Sequence, residues 1–240
     1  MSTGARQKVL VTGASSGIGL AIAKDLAAHG WEIINFDRNA PPEPNGRFIQ
    51  VDMSDTDALA DALASIQDDA PLGLVNNVGL VKPASIDATT LSDFDYQMAV
   101  NARSALQCAQ ALLPAMRKAH YGRIVNISSR AAFGKELRSA YSASKGAVIS
   151  MTRTWALELA GDGITVNAVA PGPIATDAFN VANPPFSEHT RKILATIPVK
   201  RLGTSEDIAN AVSFLMDERS GFITGQTLMV CGGITVGLGG

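Results

Sequence analysis

Tyr141 and Lys145 are the two residues whose types and spacing most directly suggest chemistry. The segment around them is rich in small residues and is typical of a helix, so the two side chains should lie one turn apart on the same face. A cation within about 4–6 Å of an acidic group favours its charged form and lowers its pKa by roughly 1–3. The pair therefore predicts a tyrosine that exchanges a proton with an alcohol or a carbonyl. The spacing alone is a weak signal, because ordinary composition often produces it by chance.

Two serines precede this pair and could hydrogen-bond the same substrate oxygen. Ser128 and Ser129 follow the apolar run Gly122–Ile127, whose β-branched composition is typical of a buried strand. Their hydroxyl groups would then lie at the carboxyl end of that strand. Side chains alternate along a strand, so only one of the two can face a cleft there.

A glycine-rich turn joins the first predicted strand to the first predicted helix. The strand covers Lys8–Thr12 and the helical pattern covers Leu20–Ala28, with Gly13, Gly17 and Gly19 between them. Glycines allow the backbone to approach a pyrophosphate, and the amino-terminal end of a helix attracts its charge. The spacing Gly-x-x-x-Gly-x-Gly differs from the Gly-x-Gly-x-x-Gly of the general dinucleotide fingerprint. The turn predicts a phosphate site, with ordinary turn chemistry as the alternative.

An acidic residue ends the next predicted strand, Trp31–Phe36. Asp37 lies 18 residues after Gly19, and in dinucleotide folds an acid near this distance accepts hydrogen bonds from the adenosine ribose and repels a 2′-phosphate. Arg38 follows immediately and could tolerate such a phosphate. The other interpretation of Asp37 is an ordinary acid at a strand end. We expect NAD(H) rather than NADP(H).

Strand and helix patterns alternate along the whole chain, which predicts the α/β class with a parallel sheet and helices on both faces. Ligands in such sheets bind at the carboxyl ends of the strands, where Asp52 and Asn76–Gly79 fall. We find no internal repeat and no boundary, so residues 1–240 are predicted to form a single dinucleotide-binding domain. The further predicted strands are Phe48–Val51, Leu72–Val75, Gly122–Ile127, Ile164–Val169 and Thr227–Cys231, and the further predicted helices are Asp55–Asp69, Leu91–Ala119, Tyr141 to about Ala160, and Thr204–Met216.

Two stretches interrupt these patterns. Asn101 lies inside the long helical pattern Leu91–Ala119, where a polar residue could cap a local break or simply face solvent. Residues 177–197 lose clear periodicity and contain two consecutive prolines. An irregular segment of this length beside strand ends is typical of a substrate loop or lid.

Composition excludes several classes of protein. The net charge is −2 and the isoelectric point is near 5.9, which gives no electrostatic reason to expect a nucleic acid or an anionic membrane as partner. No apolar run approaches the roughly 18 residues of a membrane span, and residues 1–8 lack the apolar core of a signal peptide, so we expect a cytoplasmic protein. Cys108 and Cys231 form no Cys-x-x-Cys motif, so reduced core thiols are expected and no metal site is predicted.

Taken in order along the chain, these motifs resemble those of the single-domain short-chain dehydrogenase/reductase family, which includes reductases of 3-oxoacyl carrier proteins. The match covers almost the whole length. The resemblance implies a three-layer Rossmann fold with a doubly wound, seven-stranded parallel sheet. It also implies an oxidoreductase that transfers a hydride between NAD(H) and a secondary alcohol or ketone. The motifs that carry it are Thr12–Gly19, Asn76–Gly79, Asn101, Ser129, Tyr141–Lys145 and Pro171–Thr176.

The resemblance also implies roles for individual residues. Asn101, Ser129, Tyr141 and Lys145 would form a catalytic tetrad: Tyr141 as general acid/base, the serine orienting the substrate oxygen, Lys145 holding the nicotinamide ribose, and Asn101 carrying a water at its helix break. The long helices around Asn101 and Tyr141 would form the interfaces of a homotetramer. The residues expected to bind the cofactor are Gly13, Ser15, Ser16, Gly17, Ile18, Gly19, Asp37, Asp52, Met53, Asn77, Gly79, Tyr141, Lys145, Pro171, Gly172, Ile174 and Thr176.

Two departures from the family pattern affect these expectations. Val78 stands where the family commonly has alanine, close to the expected adenosine. Ser129 precedes Tyr141 by 12 residues, whereas the usual interval is 13 and would select Ser128. We expect Ser129 to be the catalytic serine and the intervening loop to be one residue shorter, with Ser128 as the alternative.

Substrate identity is less constrained. Arg130, Lys135 and Arg138 in the loop before Tyr141, together with Arg103, could hold a carboxylate or phosphate of the substrate. Solvated or subunit-interface charges are the alternative. Three phenylalanines could line an apolar substrate pocket or could simply pack within the lid: Phe133, Phe179 and Phe186.

Three other functions are alternatives to this hypothesis. An NADP(H)-dependent 3-oxoacyl reductase differs from the leading hypothesis in cofactor and substrate. A nucleotide-binding regulatory protein of the same fold would bind the cofactor without turnover. A related epimerase or dehydratase would usually be a longer chain with a separate substrate domain, which the length of 240 residues disfavours.

Overall fold

Seven parallel strands form one sheet at the centre of the molecule, in the order β3-β2-β1-β4-β5-β6-β7. The structure, a computed structural model, describes residues 7–236. Residues 1–6, which include most of the stretch considered for a signal peptide, and residues 237–240 lie outside the described part. The strands are β1 Lys8–Thr12, β2 Glu32–Asp37, β3 Arg47–Gln50, β4 Gly73–Asn76, β5 Gly122–Ile127, β6 Ile164–Pro171 and β7 Thr227–Val230.

Helices cover both faces of the sheet and bury two separate apolar clusters. On one face α2, α4 and α5 pack on a cluster that includes Leu59, Leu112 and Trp155. On the other face α1 and α8 pack on a cluster that includes Leu26 and Ile208. This three-layer, doubly wound arrangement confirms the predicted fold class. The helices are α1 Gly17–Ala28, α2 Thr56–Ala64, α3 Leu91–Met98, α4 Ser104–Ala119, α5 Ser139–Leu159, α6 Asp177–Ala182, α7 Glu188–Thr196 and α8 Ser205–Met216.

The central strands are apolar because both of their faces are covered. Every residue of β5 and β6 is buried, as expected for parallel strands between two helical layers. The two edge strands, β3 and β7, have no fully buried residue. Parallel strands need long crossover connections, which the helices provide here. Because all seven strands run the same way, their carboxyl ends lie at the same end of the sheet.

Several element boundaries differ from the sequence-based expectations. The helix predicted over Asp55–Asp69 ends at Ala64 and is followed by a separate 3₁₀ turn, Gln67–Asp69. The long helix predicted over Leu91–Ala119 is divided into α3 and α4 by a π-helical turn, Ala99–Arg103, which contains Asn101. A local break at Asn101 was one of the two expectations for that residue.

The irregular segment over residues 177–197 is more ordered than its pattern indicated. It contains α6 and α7, capped by the side chains of Thr176 and Ser187, which accept hydrogen bonds from backbone N–H groups in the first turns. The turn between them includes Phe186 in the left-handed region, at φ 66°. Two helices of six and nine residues are too short to establish a clear period.

Two kinds of feature are absent from the described part of the chain. Over residues 7–236, no helix combines the length and the apolar character needed to cross a membrane. The same part of the chain holds no group of three His, Cys, Asp or Glu side chains arranged as metal ligands.

Candidate active site

A cleft of about 790 Å³ opens at the carboxyl ends of the strands. It lies at the point where the strand order reverses: β2 and β3 lie on one side of β1, and β4 lies on its other side. Such a switch point is the usual ligand site of an open parallel sheet. All the residues predicted to bind the cofactor or to act in catalysis line this cleft, except Ser15 and Asn101.

The turn between β1 and α1 brings backbone unusually close to its neighbours. Gly13 and Gly17 have φ angles of 71° and 52°, which side chains rarely allow. A Cβ atom on Gly19 would overlap the carbonyl oxygen of Gly13. Helix α1 begins at Gly17, and Ser16 at its N-cap makes no side-chain capping hydrogen bond. The first N–H groups of α1 therefore face the cleft without a side-chain acceptor, which suits a pyrophosphate.

Side chains from β1 and β4 hold this turn in place. Asn77 Nδ2 donates hydrogen bonds to the carbonyls of Thr12 and Gly13, at 2.9 and 3.1 Å. Thr12 Oγ1 accepts hydrogen bonds from the N–H groups of Asn77 and Val78, at 3.0 and 3.1 Å. Thr12 thus has a positioning role that the sequence did not predict, although it is the first residue of the motif Thr12–Gly19.

A second support for the turn was also missed. Asn35 is completely buried in β2, and its side chain accepts a hydrogen bond from the Ala14 N–H and donates one to Ser15 Oγ, at 3.2 and 3.0 Å. Asn45 Nδ2 donates to the Ala14 carbonyl at 2.7 Å. Ser15 is therefore buried behind the turn and does not line the cleft. A polar residue inside the apolar run Trp31–Phe36 was the available signal for this support.

Asp37 and Asp52 end neighbouring strands at one end of the cleft. The Asp37 carboxylate accepts hydrogen bonds from the N–H groups of Ser15 and Asn39, both at 3.1 Å. Asp52 accepts two from Ser54, from its N–H at 2.8 Å and its hydroxyl at 2.7 Å. These bonds and the positive charge of Arg38 lower the pKa of Asp52. Both carboxyl groups lie at this end of the cleft, and the lowered pKa favours the charged form of Asp52.

The two serines after β5 have different surroundings. Ser128 is 2% exposed, and its hydroxyl donates to the Lys145 carbonyl at 2.8 Å. Ser129 Oγ accepts a hydrogen bond from the Ala131 N–H at 3.1 Å and lies close enough to the Tyr141 hydroxyl to lower its pKa. Ser129 and Tyr141 thus present two adjacent hydroxyl groups on the cleft wall. The Ser128 hydroxyl ties β5 to α5.

Tyr141 does not have the lowered pKa that its spacing from Lys145 predicted. Burial raises the pKa of Tyr141, and the neighbouring Ser129 hydroxyl and the charge of Arg138 only partly oppose that effect. Lys145 is 2% exposed, its Nζ donates to the Ile127 carbonyl at 2.7 Å, and burial lowers its pKa to about 8. Residues four apart on a helix share a face, but desolvation affects both groups more strongly than their mutual interaction.

Asn101 lies behind the cleft and joins three segments. It is 2% exposed, and its Nδ2 donates to the Leu80 carbonyl and to Ser144 Oγ, both at 2.9 Å. Its Oδ1 accepts from the Leu80 N–H at 2.9 Å, and Ser144 Oγ donates to the Tyr141 carbonyl at 2.8 Å. Ser144 is therefore a positioning residue that sequence reasoning missed, although it lies one turn after Tyr141.

The far end of the cleft is formed after β6. Pro171, Gly172, Ile174 and Thr176 all line it, and a Cβ on Gly172 would come within 2.7 Å of the Cys231 Cα. Ile174 pairs with Gly203 in an isolated bridge. The backbone of this segment is thus held on two sides.

The other candidate residues lie in the cleft, on the remaining surface or in the core. Phe179 lines the cleft with His189 and Ile193 of α7. Phe133 and Phe186 are exposed and do not line it. Arg103 also lies outside it and donates to the Ser54 carbonyl at 2.6 Å. Cys108 is completely buried, and burial raises the pKa of its thiol to about 12.

Several known proteins are similar to this chain. Residues 13–235 match the profile of a family described as enoyl-(acyl carrier protein) reductase. The 3-oxoacyl-(acyl-carrier-protein) reductase of Buchnera aphidicola is 35% identical over 95% of this chain and 97% of its own. The gluconate 5-dehydrogenase of Gluconobacter oxydans is 36% identical over 96% of this chain and 95% of its own.

A solved structure extends the comparison to the whole fold. It is provisionally assigned as a 2-deoxy-D-gluconate 3-dehydrogenase from Agrobacterium tumefaciens and contains bound NADP. It superposes with a TM-score of 0.90 at 35% identity, covering 96% of this chain and 97% of its own. The chain therefore belongs to the short-chain dehydrogenase/reductase family, as an oxidoreductase that moves a hydride between a nicotinamide cofactor and an alcohol or ketone.

Proposed function

We propose that this chain interconverts a secondary alcohol and a ketone, with NAD(H) as its preferred cofactor and Tyr141 as its proton donor and acceptor. The observation that carries the proposal is the pair of adjacent hydroxyl groups of Ser129 and Tyr141 on the wall of a cleft that also contains the glycine turn. A bound nicotinamide supplies or accepts the hydride. The residues of the chain then have to bind the cofactor and the substrate, orient them and transfer the proton.

The residues of the cleft suit a dinucleotide. The open first turn of α1 and the close approach at Gly13 and Gly19 provide room and N–H donors for a pyrophosphate. Asp37 would hold the adenosine ribose, and the strand end after β3 would meet the adenine. The residues assigned to the adenine are Asp52 and Met53, those assigned to the nicotinamide ribose are Tyr141 and Lys145, and those assigned to the carboxamide are Pro171, Gly172, Ile174 and Thr176.

The preference for NAD(H) rests on Asp37. Its carboxylate lies in the cleft at the end of β2, where it would accept hydrogen bonds from ribose hydroxyls and repel a 2′-phosphate. An NADP(H)-dependent 3-oxoacyl reductase is the second candidate function. It is favoured by Arg38, which also lines the cleft, by the NADP in the Agrobacterium structure and by the name of the Buchnera relative.

The proton chemistry follows from the environment of the two hydroxyl groups. Burial keeps Tyr141 protonated at neutral pH, ready to donate to a carbonyl oxygen. Ser129 would hydrogen-bond and polarise the same oxygen. Lys145, with a pKa of about 8, is a group whose proton is exchangeable near neutral pH. The π-helical turn at Asn101 would place a water that returns protons from solvent.

The same proposal includes a substrate lid, a single domain, a homotetramer and a cytoplasmic location. Residues 177–197 would act as a substrate lid on a single dinucleotide-binding domain, because Phe179 and His189 of this segment line the cleft. A homotetramer would cover Leu157 and Phe222, which are 86% and 104% exposed. Two buried free thiols, Cys108 and Cys231, support a reducing compartment such as the cytoplasm.

A panel of secondary alcohols and ketones tests this proposal through absorbance at 340 nm, with NAD(H) and NADP(H) run in parallel. We expect turnover with NAD(H) and a higher kcat/KM than with NADP(H). The reverse preference would support the second candidate. Tight cofactor binding with no turnover of any substrate would instead support a regulatory protein of the same fold.

A further inference from the structure

Three cations lie together on the wall of the cleft beside the two hydroxyl groups. Arg130, Lys135 and Arg138 all line the cleft and belong to the loop between β5 and α5. Arg130 directly follows Ser129, and Arg138 precedes Tyr141 by three residues. The positions of the cations therefore bracket the place where a substrate oxygen would be held.

The cations are close enough to affect one another. Partial desolvation, followed by the positive charges of Arg130 and Arg138, lowers the pKa of Lys135. The charge of Arg138 also acts on the Tyr141 hydroxyl. Repulsion between clustered like charges is unfavourable for the folded chain on its own. An anion bound in the cleft would make the electrostatic energy of the cluster favourable.

The described chain does not neutralise this cluster. Within residues 7–236, none of the three cations takes part in an ion pair. Four acidic residues line the same cleft, and none of them forms an ion pair among the described residues: Asp37, Asp52, Glu136 and Asp177. The cations thus keep their charge available to a ligand in the cleft.

The backbone of the loop is held in an uncommon conformation that sets the position of Arg138. Leu137 has φ 58°, in the left-handed region that residues other than glycine rarely occupy. Its carbonyl accepts hydrogen bonds from the Ala84 N–H at 3.1 Å and from Arg138 Nη1 at 2.9 Å. Ala84 also pairs with Arg138 in an isolated parallel bridge. Strain of this kind is retained where surrounding contacts impose it, and it occurs often at ligand sites.

From this geometry we infer that the substrate of the proposed reaction is an anion, an oxo or hydroxy compound with a carboxylate or phosphate that Arg130, Lys135 and Arg138 bind. The guanidinium groups of the two arginines match the paired oxygens of either group. The inference rests on the proposed function, since it names the class of substrate for the same site. It distinguishes this chain from an enzyme that binds neutral alcohols by apolar contacts alone.

Matched pairs of substrates test the inference. Acetoacetate and methyl acetoacetate differ in one carboxylate, and dihydroxyacetone phosphate and dihydroxyacetone differ in one phosphate. We expect the native enzyme to favour the anion of at least one pair in kcat/KM, and the pair with the larger ratio identifies the anionic group. Because charged hydrogen bonds typically contribute a factor of about 10–100 each, Arg130→Gln or Arg138→Gln should reduce that ratio by about 10–100-fold, mainly through KM.

Lys118→Gln is the matched control, since Lys118 is an exposed cation at the end of α4 and does not line the cleft. It should leave the ratio within about twofold. Equal kcat/KM for the charged and neutral member of both pairs, or an unchanged ratio in both arginine variants, would overturn the inference.

Calorimetric titration of the same four compounds separates this inference from the proposed function. If the native chain turns over none of them, the result counts against the proposed function, and binding then decides the anion subsite. Binding of an anion that Arg130→Gln and Arg138→Gln weaken by about tenfold or more supports the subsite. Equal affinities for each charged compound and its neutral partner would contradict the anion subsite.

Discussion

Lys145 Nζ donates a hydrogen bond to the Ile127 carbonyl at 2.7 Å and so joins α5 to the end of β5. The ammonium is nearly inaccessible, and burial lowers its pKa from 10.5 to about 8. Desolvation therefore works against the charged form that the proposed function uses for binding ribose hydroxyls. Such a residue is retained for function and reduces the stability of the fold.

The first prediction concerns stability and pH in Lys145→Met. Between about pH 8 and 10.5 the unfolded chain binds more protons at this lysine than the folded chain does, so native stability rises with pH in that window. Relative to Lys145→Met, the native protein should gain about 2 kcal/mol in free energy of unfolding between pH 7 and 9.5. Urea denaturation at both pH values measures this difference. The difference in free energy of unfolding between the native protein and Lys118→Met should not change with pH. If the stability of Lys145→Met changed with pH as the native stability does, the result would contradict a buried charge at Lys145.

The second prediction concerns the glycine that faces Lys145. A Cβ on Gly79 would lie 3.0 Å from Lys145 Nζ and 3.6 Å from Asn101 Oδ1. Gly79→Ala should displace the amine and lower kcat by about tenfold or more, because small displacements at reacting groups are costly. Steady-state kinetics and circular dichroism report activity and folding separately.

Gly146→Ala is the control for that substitution, because it also adds one methyl group next to Lys145 in the sequence. The nearest atom to its Cβ would be the Ala132 carbonyl oxygen at 4.0 Å. Replacing glycine inside a helix should raise stability by about 0.5–1 kcal/mol and leave kcat unchanged. Equal kinetic effects of the two alanines would refute a specific contact between Gly79 and the amine.

The third prediction separates the two serines. Ser129→Ala removes the hydroxyl beside Tyr141 and should lower kcat by about 100-fold or more, as loss of a group that polarises the reacting oxygen does elsewhere. Ser128→Ala leaves the Lys145 carbonyl without its hydroxyl donor and should reduce stability by about 1–3 kcal/mol. Parallel measurements of kcat and thermal unfolding decide between them. A larger loss of kcat in Ser128→Ala would reverse the assignment.

Much of the fold followed from local pattern, and the reasons are visible in particular elements. β5 and β6 are buried on both faces, so their apolar composition identified them without tertiary information. The glycine turn was equally readable, because only glycine tolerates the approach of residue 19 to the Gly13 carbonyl. α6 and α7 were missed because each is stabilised by a side-chain cap at its start and has too few turns to show a period.

The electrostatics of the site depend on burial, which sequence spacing does not report. Tyr141 and Lys145 lie one turn apart as predicted, yet the pKa of Tyr141 is raised, because desolvation is its largest influence. Asn35 and Ser144 support the site through buried hydrogen bonds to distant segments. Their residue types are ordinary, so only the fold shows that they meet Ser15 and Asn101.

The fourth prediction concerns cofactor choice. Asp37→Ser removes the carboxylate at the end of β2 and should lower the ratio of kcat/KM for NAD to that for NADP by about 10–100-fold, through lost charged hydrogen bonds and lost repulsion. Initial rates with both cofactors at several concentrations give the ratio. Asp61→Ser, at an exposed acid of α2 outside the cleft, should leave it unchanged. A ratio unaffected by Asp37→Ser would remove the basis for NAD(H) preference.

The most direct test of the account is the turnover of Tyr141→Phe with cofactor binding measured on the same preparation. Removing one hydroxyl should lower kcat by about 10²–10⁴, the contribution typical of a general acid. Fluorescence titration should show that NADH still binds within a few-fold of the native affinity. Turnover at the native rate by Tyr141→Phe would contradict the assignment of Tyr141 as the proton donor.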